Sequence, residues 1–259
     1  MAHLDRILIF PIKSLDGLEV TTAAIAPGGS LVGDREFAIV DRQGQWLNGK
    51  RTAKIHQIRA TYDGSQRRVT LAAPGFSPTP FHLDTDRPAL NQWLSDFFEQ
   101  PVQLEQNLDT GFPDDPDSPG PTIISTATLQ TIADWFQLPL PEVRSRFRTN
   151  LELATDQPFW EDQLYREASH PYPFTIGDIE FHGINPCQRC IVPARDSQSG
   201  TPLPQFQKTF IQKRQATLPP WATASRFNHF YRLAVNTRIP RSQAGKVLQV
   251  GQTCRPVYL

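Results

Sequence analysis

Cysteine is scarce, with only Cys187, Cys190 and Cys254 in 259 residues. So few thiols do not make a disulfide framework, and they fit a reducing compartment. Long apolar runs are lacking as well. No stretch approaches the roughly 18 consecutive apolar residues of a membrane span, and Met1 to Phe10 has neither the basic start nor the apolar run of a secretory leader. These absences predict a cytoplasmic protein with no membrane partner. Net charge is missing too: 26 Lys and Arg balance 26 Asp and Glu, so no global field draws nucleic acid. There is no Gly-x-Gly-x-x-Gly nucleotide fingerprint and no cysteine run for an iron–sulfur cluster. Neither an internal iron–sulfur cluster nor a flavin is expected.

What is present is unevenly placed. From Asn185 to Leu259 there are eleven Lys or Arg against one acid, Asp196, so the acidic excess lies before Asn185. The C-terminal segment is therefore suited to an anionic ligand, although such arginines also commonly just coat a surface. Proline is abundant, with 24 residues; it limits long regular elements and favours β-rich architecture with loops.

The first hundred residues read as short strands at Leu8 to Ile12, Leu18 to Ala23, Arg35 to Val40, Gln45 to Leu47, Ile55 to Tyr62 and Arg68 to Leu71. Turn signals such as Asp16-Gly17 and Asp63-Gly64 separate them. Five or six strands joined by short turns predict a closed or folded-over sheet. A helix capped by Thr85 or Asp86 and running to Phe98 would cover it through Leu90, Trp93, Leu94 and Phe97. TGFPDDPDSPGP, from Thr110, reads as an exposed loop or linker. The expected units are thus residues 1–110, a linker at 111–121, and residues 122–259. In the second unit Ser125 can cap a helix with Leu129, Ile132, Ala133 and Phe136 inside, stopped by Pro139. Strands are expected at Phe147 to Leu153, Phe174 to Phe181, Cys190 to Pro193, Phe230 to Val235 and Val247 to Val250, with short helices at Trp160 to Tyr165 and Pro204 to Phe210. The fold class is mainly β with peripheral helices.

Cys187-Gln188-Arg189-Cys190 admits several readings. A redox dithiol wants both cysteines at a helix N-terminus, yet a strand-like Ile191-Val192-Pro193 follows. A structural zinc site wants four ligands, and only Cys254 and scattered histidines such as His182 and His229 remain. Two inert buried thiols are the plain alternative. A single ligating thiolate is favoured by its neighbours, because Arg189 and Arg195 bring positive charge beside it.

The segment Cys187 to Gly200 resembles the signature of the MOSC domain, as found in molybdenum cofactor sulfurases and in the amidoxime-reducing component and its bacterial relatives. Phe10-Pro11-Ile12-Lys13-Ser14, Asp34-Arg35, Ser125-Thr126-Ala127-Thr128-Leu129 and Arg146-Phe147-Arg148-Thr149-Asn150 match further family motifs in family order. Asn48-Gly49-Lys50-Arg51, Thr149 and Gln252 depart from the pattern, Lys50 and Arg51 keeping positive charge. The resemblance implies a β-barrel-like N-terminal domain ahead of a MOSC β-barrel domain, and a molybdopterin-type molybdenum cofactor. It implies Cys190 as the metal-ligating and catalytic residue. It places Lys13, Ser14, Arg35, Lys50, Arg51, Ser125, Thr128, Arg146, Arg148, Asn150 and Arg189 at the cofactor. The residue types agree: Arg offers bidentate hydrogen bonds to phosphate and Lys a compact charge. The implied activity is reduction of small N-hydroxylated substrates with electrons from a separate electron-transfer protein. A non-catalytic cofactor or sulfur carrier and a purely structural protein stand as the other expectations.

Overall fold

Buried positions three apart anchor the first strand, β1 (His3–Ile9), in which Leu4 and Ile7 are fully enclosed. The structure is a computed structural model describing residues 2–168 and 170–256; the outermost ends of the two expected units, Met1 and 257–259, lie outside the described residues. Next come β2 (Leu18–Val20), β3 (Thr22–Ala24) and β4 (Phe37–Asp41). A three-stranded antiparallel sheet follows, made of β5 (Arg59–Asp63), β6 (Arg68–Ala73) and β7 (Phe76–His82). Helix α1 (Arg87–Phe98) lays Leu90, Trp93, Leu94 and Phe97 onto the core formed with Ile39, Val69 and Leu71. Asp86 stands at its N-cap position, but the carboxylate accepts the His82 amide rather than a helix amide. β8 (Val102–Gln106) returns to pair with β4. The expected strand Gln45 to Leu47 is reduced to a single bridge between Val40 and Trp46, and a 3₁₀ turn at Ala53–Gln57 precedes β5.

Beyond the Pro-rich loop come β9 (Ile123–Ser125) and α2 (Thr126–Phe136), capped by Ser125, whose hydroxyl accepts the Thr128 amide at 3.2 Å. Pro139 does follow the end of α2, and it also opens α3 (Leu140–Phe147), since its fixed φ of −60° suits a helix entry. The expected strand Phe147 to Leu153 therefore shrinks to β10 (Leu151–Ala154). Arg146 and Phe147 belong to the last turn of α3, and Arg148 caps it in the left-handed conformation, φ 52°. The chain continues through β11 (Tyr172–Ile176), β12 (Ile179–Gln188), α4 (Phe206–Ala216), β13 (Arg232–Arg238), β14 (Val247–Gln249) and β15 (Cys254–Pro256). Cys190 to Pro193 is not a strand: Pro193 has no amide for a ladder, and Val192–Ala194 winds one 3₁₀ turn.

The fold is mainly sheet. Its largest sheet runs β15-β11-β12-β13-β9-β10-β1-β2, so the first strands of the chain form one edge of the C-terminal sheet. β3 likewise pairs with β14. Leu4, Ile7 and Ile25 accordingly share one core with Phe174, Phe181 and Leu248, while Ile12 and Leu15 belong to the core under α1. A third cluster, around Leu129, Phe147, Phe206 and Phe210, fills the space between α2, α3 and α4.

Candidate functional site

Where β12 ends, α3 is capped and the loops of the first hundred residues come together, the surface opens into a cleft of about 1120 Å³. Eleven Lys or Arg line it against five Asp or Glu. Among them are Lys13, Ser14, Arg35, Lys50, Arg146, Arg148 and Arg189, and both Cys187 and Cys190. Residues more than a hundred positions apart in sequence thus face one space.

Three of these residues, Ser14, Arg35 and Arg148, hold positive φ values of 74°, 47° and 52° without being glycine. Such conformations cost about 1–2 kcal/mol each, and each re-aims a side chain at a bend. Arg35 pairs with Asp34 and reaches Asn150 Oδ1 at 3.3 Å. Burial opposes its charge, but Asp34 and Asp114 more than offset that, leaving its pKa raised. Arg148 donates to the Leu15 carbonyl and lies 4.3 Å over the Phe10 ring, with Arg35 5.4 Å from the same ring. Burial and then the Arg35 charge push the Arg148 pKa down to about 10.

Lys13 is buried and donates to the Phe112 carbonyl at 2.8 Å and to Asp114 at 2.9 Å, beneath the Trp46 ring. Burial lowers its pKa, partly countered by Asp114. Lys50 also approaches Asp114, at 3.4 Å. The Asp114 carboxylate faces the water of the cleft, 60% exposed, yet the walls crowd it. Their desolvation would raise its pKa; the charges of Lys13, Arg35 and Lys50 prevail and hold it well below the usual carboxylate range. Asp114 lies in the segment read as a linker or exposed loop; Asp114, Asp115 and Ser118 of that segment line the cleft.

Arg51, Ser125, Thr128 and Asn150 do not line the cleft, and Arg146, which does, is committed to protein partners. The Arg51 guanidinium turns to Asp41 at 3.4 Å and to the Trp46 carbonyl. Ser125 and Thr128 are fully buried and commit their hydroxyls to one another, to the α2 cap and, through Thr128, to Glu161. Burial and the neighbouring Asp162 raise the pKa of Glu161, and none of Ser125, Thr128 and Glu161 lines the cleft. Asn150 is also fully buried; its amide donates to the Leu8 carbonyl and accepts from Thr122, tying β1 to the start of β10 while supporting Arg35. Arg146 is neutralised by Glu142 at 2.6 Å and donates to the Pro193 carbonyl, which braces the turn after Cys190.

Cys190 lies past the end of β12, partly exposed. Arg189 is anchored on the Phe147 carbonyl, 5.3 Å from the Phe147 ring, and reaches Cys187 Sγ at 3.4 Å. Cys254 is different: it is buried in the sheet core, and burial pushes its pKa up to about 12. Among the described residues no group of three or more His, Cys, Asp or Glu is placed to hold a metal ion. No helix is long and apolar enough to cross a membrane among the described residues. His56, Asp114, Arg226 and Arg232 also line the cleft and carry no motif; the basic excess after Asn185 was the one sequence signal for the last two.

Two family models match the chain, one described as the MOSC N-terminal beta barrel domain over residues 1–109 and one as the MOSC domain over residues 122–255. Human molybdenum cofactor sulfurase is 23% identical over 246 residues, covering 76% of this chain and 27% of the human protein. The Drosophila yakuba molybdenum cofactor sulfurase is 24% identical over 285 residues, covering 99% of this chain and 34% of its own. The chain thus spans about a third or less of these curated relatives. Among solved structures, YiiM from Geobacillus stearothermophilus overlaps 53% of this chain and 54% of its own at a TM-score of 0.34 and 14% identity. The YUAD protein from Bacillus subtilis overlaps 97% and 93% at 0.39 and 11%.

Proposed function

Because the chain belongs to the MOSC domain family, its MOSC domain preceded by a MOSC N-terminal beta barrel domain, we propose that it binds a molybdenum cofactor and reduces small N-hydroxylated compounds. One observation carries the reading: Cys190 lines the same cleft as Lys13, Arg35 and Arg148.

The residues present fit an anionic pterin. Arg148 and Arg189 are anchored by backbone carbonyls, which are dipoles and not charges, so both guanidinium groups keep their positive charge for a ligand. Lys13 and Lys50 share Asp114, whose place a phosphate oxygen would take. Cys190 would supply the sulfur ligand to the metal, and the turn braced by Arg146 fixes where that sulfur stands. When bound, such a cofactor supplies two-electron oxygen-atom chemistry that no side chain here offers. Reduction of an N–OH group to N–H takes two electrons and two protons and releases water. The electrons come from a separate electron-transfer protein, and the acidic excess before Asn185 suits docking to a basic partner surface.

A second reading, a non-catalytic carrier of the cofactor or of its sulfur, is favoured by the relatives' being named molybdenum cofactor sulfurases. Molybdenum and pterin content, together with turnover of benzamidoxime by reduced methyl viologen, separates the two. The expected result is cofactor in the wild type, turnover abolished in Cys190→Ala and largely kept in Cys187→Ala. Equal turnover in Cys190→Ala would overturn the reductase assignment. A persulfide on Cys190 without turnover would select the carrier.

A further inference from the structure

Two arginines that the cofactor reading does not use also line the cleft, Arg226 and Arg232. Arg226 donates from Nη1 to the Arg166 carbonyl at 2.7 Å and from Nη2 to the Ile184 carbonyl at 3.1 Å. Arg232 donates from Nη1 to the Pro186 carbonyl at 2.9 Å and from Nη2 to Asn228 Oδ1 at 2.8 Å. Both therefore hang on carbonyls of β12, Ile184 and Pro186, about 7 Å apart for a two-residue strand repeat. The same strand carries Cys187 and ends two residues before Cys190. Arg232 also faces Gln188 across the β12–β13 ladder, two residues before Cys190.

Neither arginine has a carboxylate within ion-pair distance among the described residues. Glu167 also lines the cleft, but it takes its hydrogen bond from Ser225 and pairs with neither arginine. Other guanidinium groups do have carboxylate partners, among them Arg6 with Glu19, Arg67 with Glu36 and Asp84, Arg144 with Glu152, and Arg214 with Asp162. Each guanidinium has five donors and these two spend only two apiece on protein. The Nε of Arg232 is shut off from water without a partner. Burial and then the charge of Arg226 lower the Arg232 pKa, as two cations facing one another would. A cationic pair held by neutral oxygens, with Cys187 close enough to act on Arg232, is built to receive negative charge.

We infer that Arg226 and Arg232 form a substrate subsite for an oxyanion group, carboxylate or phosphate, carried by the same molecule whose nitrogen is presented near Cys190. The inference rests on the reductase reading for the identity of that molecule. It narrows the substrate class to N-hydroxylated compounds with an anionic tail, held by charge-assisted hydrogen bonds to the two guanidinium groups. Asn228, fixing Arg232 through its side-chain oxygen, is a positioning residue for the pair.

The test is a binding comparison that needs no electrons. Calorimetric titration of the purified chain at low salt uses 4-carboxybenzamidoxime, neutral benzamidoxime and inorganic phosphate. The expected result is a preference of about tenfold for the carboxylated over the neutral probe, the scale of one charged hydrogen bond. That ratio falls to about one in Arg226→Gln/Arg232→Gln and shrinks at 0.5 M salt. The single Arg226→Gln, at a partly exposed position off the strand ladder, is expected to lose about half the preference on a logarithmic scale and covers the case where the double variant misfolds. Equal affinity of wild type for the two probes overturns the inference, as does an undiminished preference in Arg226→Gln. Phosphate binding as tightly as the carboxylated probe also overturns it, since the site would then serve a free anion. Turnover of neutral benzamidoxime is scored separately in cofactor-loaded protein, so a failed reductase reading leaves the binding ratio standing on its own.

Discussion

His56 shows what a cationic wall does to an imidazole. It is 9% exposed, its Nε2 has no hydrogen-bond partner, and it lines the cleft. Burial, followed by the charges of Arg148, Arg195 and Arg59, pushes its pKa down to about 4. The unfolded chain keeps the ordinary value near 6.5, so between the two the unfolded state binds more protons. The stability His56 allows is complete above about pH 6.5 and is lost as pH falls through about 4. Urea midpoints measured from pH 7 to 4 should therefore fall more steeply for the wild type than for His56→Leu; parallel curves would contradict this. Nothing in the sequence marked His56, because its environment is assembled by arginines at 59, 148 and 195. Lys13, Arg35 and Cys190 were legible because a short local pattern surrounds each. Ser125 and Thr128 illustrate the opposite case: their motif is real, but their hydroxyls serve a helix cap and a buried carboxylate.

At the scale of elements, α3 matters most, because its end aims Arg148. A left-handed C-cap is the usual place for glycine, and Arg148 occupies it with a Cβ that costs about 1–2 kcal/mol. Arg148→Gly and Arg148→Ala both remove the contacts to Leu15 and Phe10, but only glycine relieves the backbone. Denaturant midpoints should place Arg148→Gly about 1 kcal/mol above Arg148→Ala; equal stability would show that the cap is not strained. Helices α1 and α2 could be read in advance because their apolar residues recur at helical spacing over three turns. α3 was hidden: its eight residues carry two arginines and Glu142, and Pro139 looked only like a stop signal. β7 was missed for a related reason, since Pro78 and Pro80 lower its strand signal while sparing a sheet edge that needs no amide there.

Across the whole molecule, the two halves interlock. Leu4 and Ile7 sit in the core of the C-terminal sheet although they open the segment matched by the N-terminal family model. Leu4→Ala is expected to cost about 2–5 kcal/mol and to speed amide exchange in β11 and β12, far away in sequence but in the same sheet. If exchange rises only in β4 to β8, the interlock is wrong. Composition and turn spacing announced a β-rich chain, yet which early strands join the C-terminal sheet depends on pairing between segments far apart in sequence, such as β1 with β10 and β3 with β14, and no local pattern encodes that. The loop that carries Asp114 has one more effect. Asp114 already rests between Lys13 and Lys50, so on the proposed reading an oxyanion arriving there would trade places with a tethered counter-ion. Such an exchange would leave local charge nearly balanced, so the salt dependence of binding should be shallower than eleven lining cations alone would give.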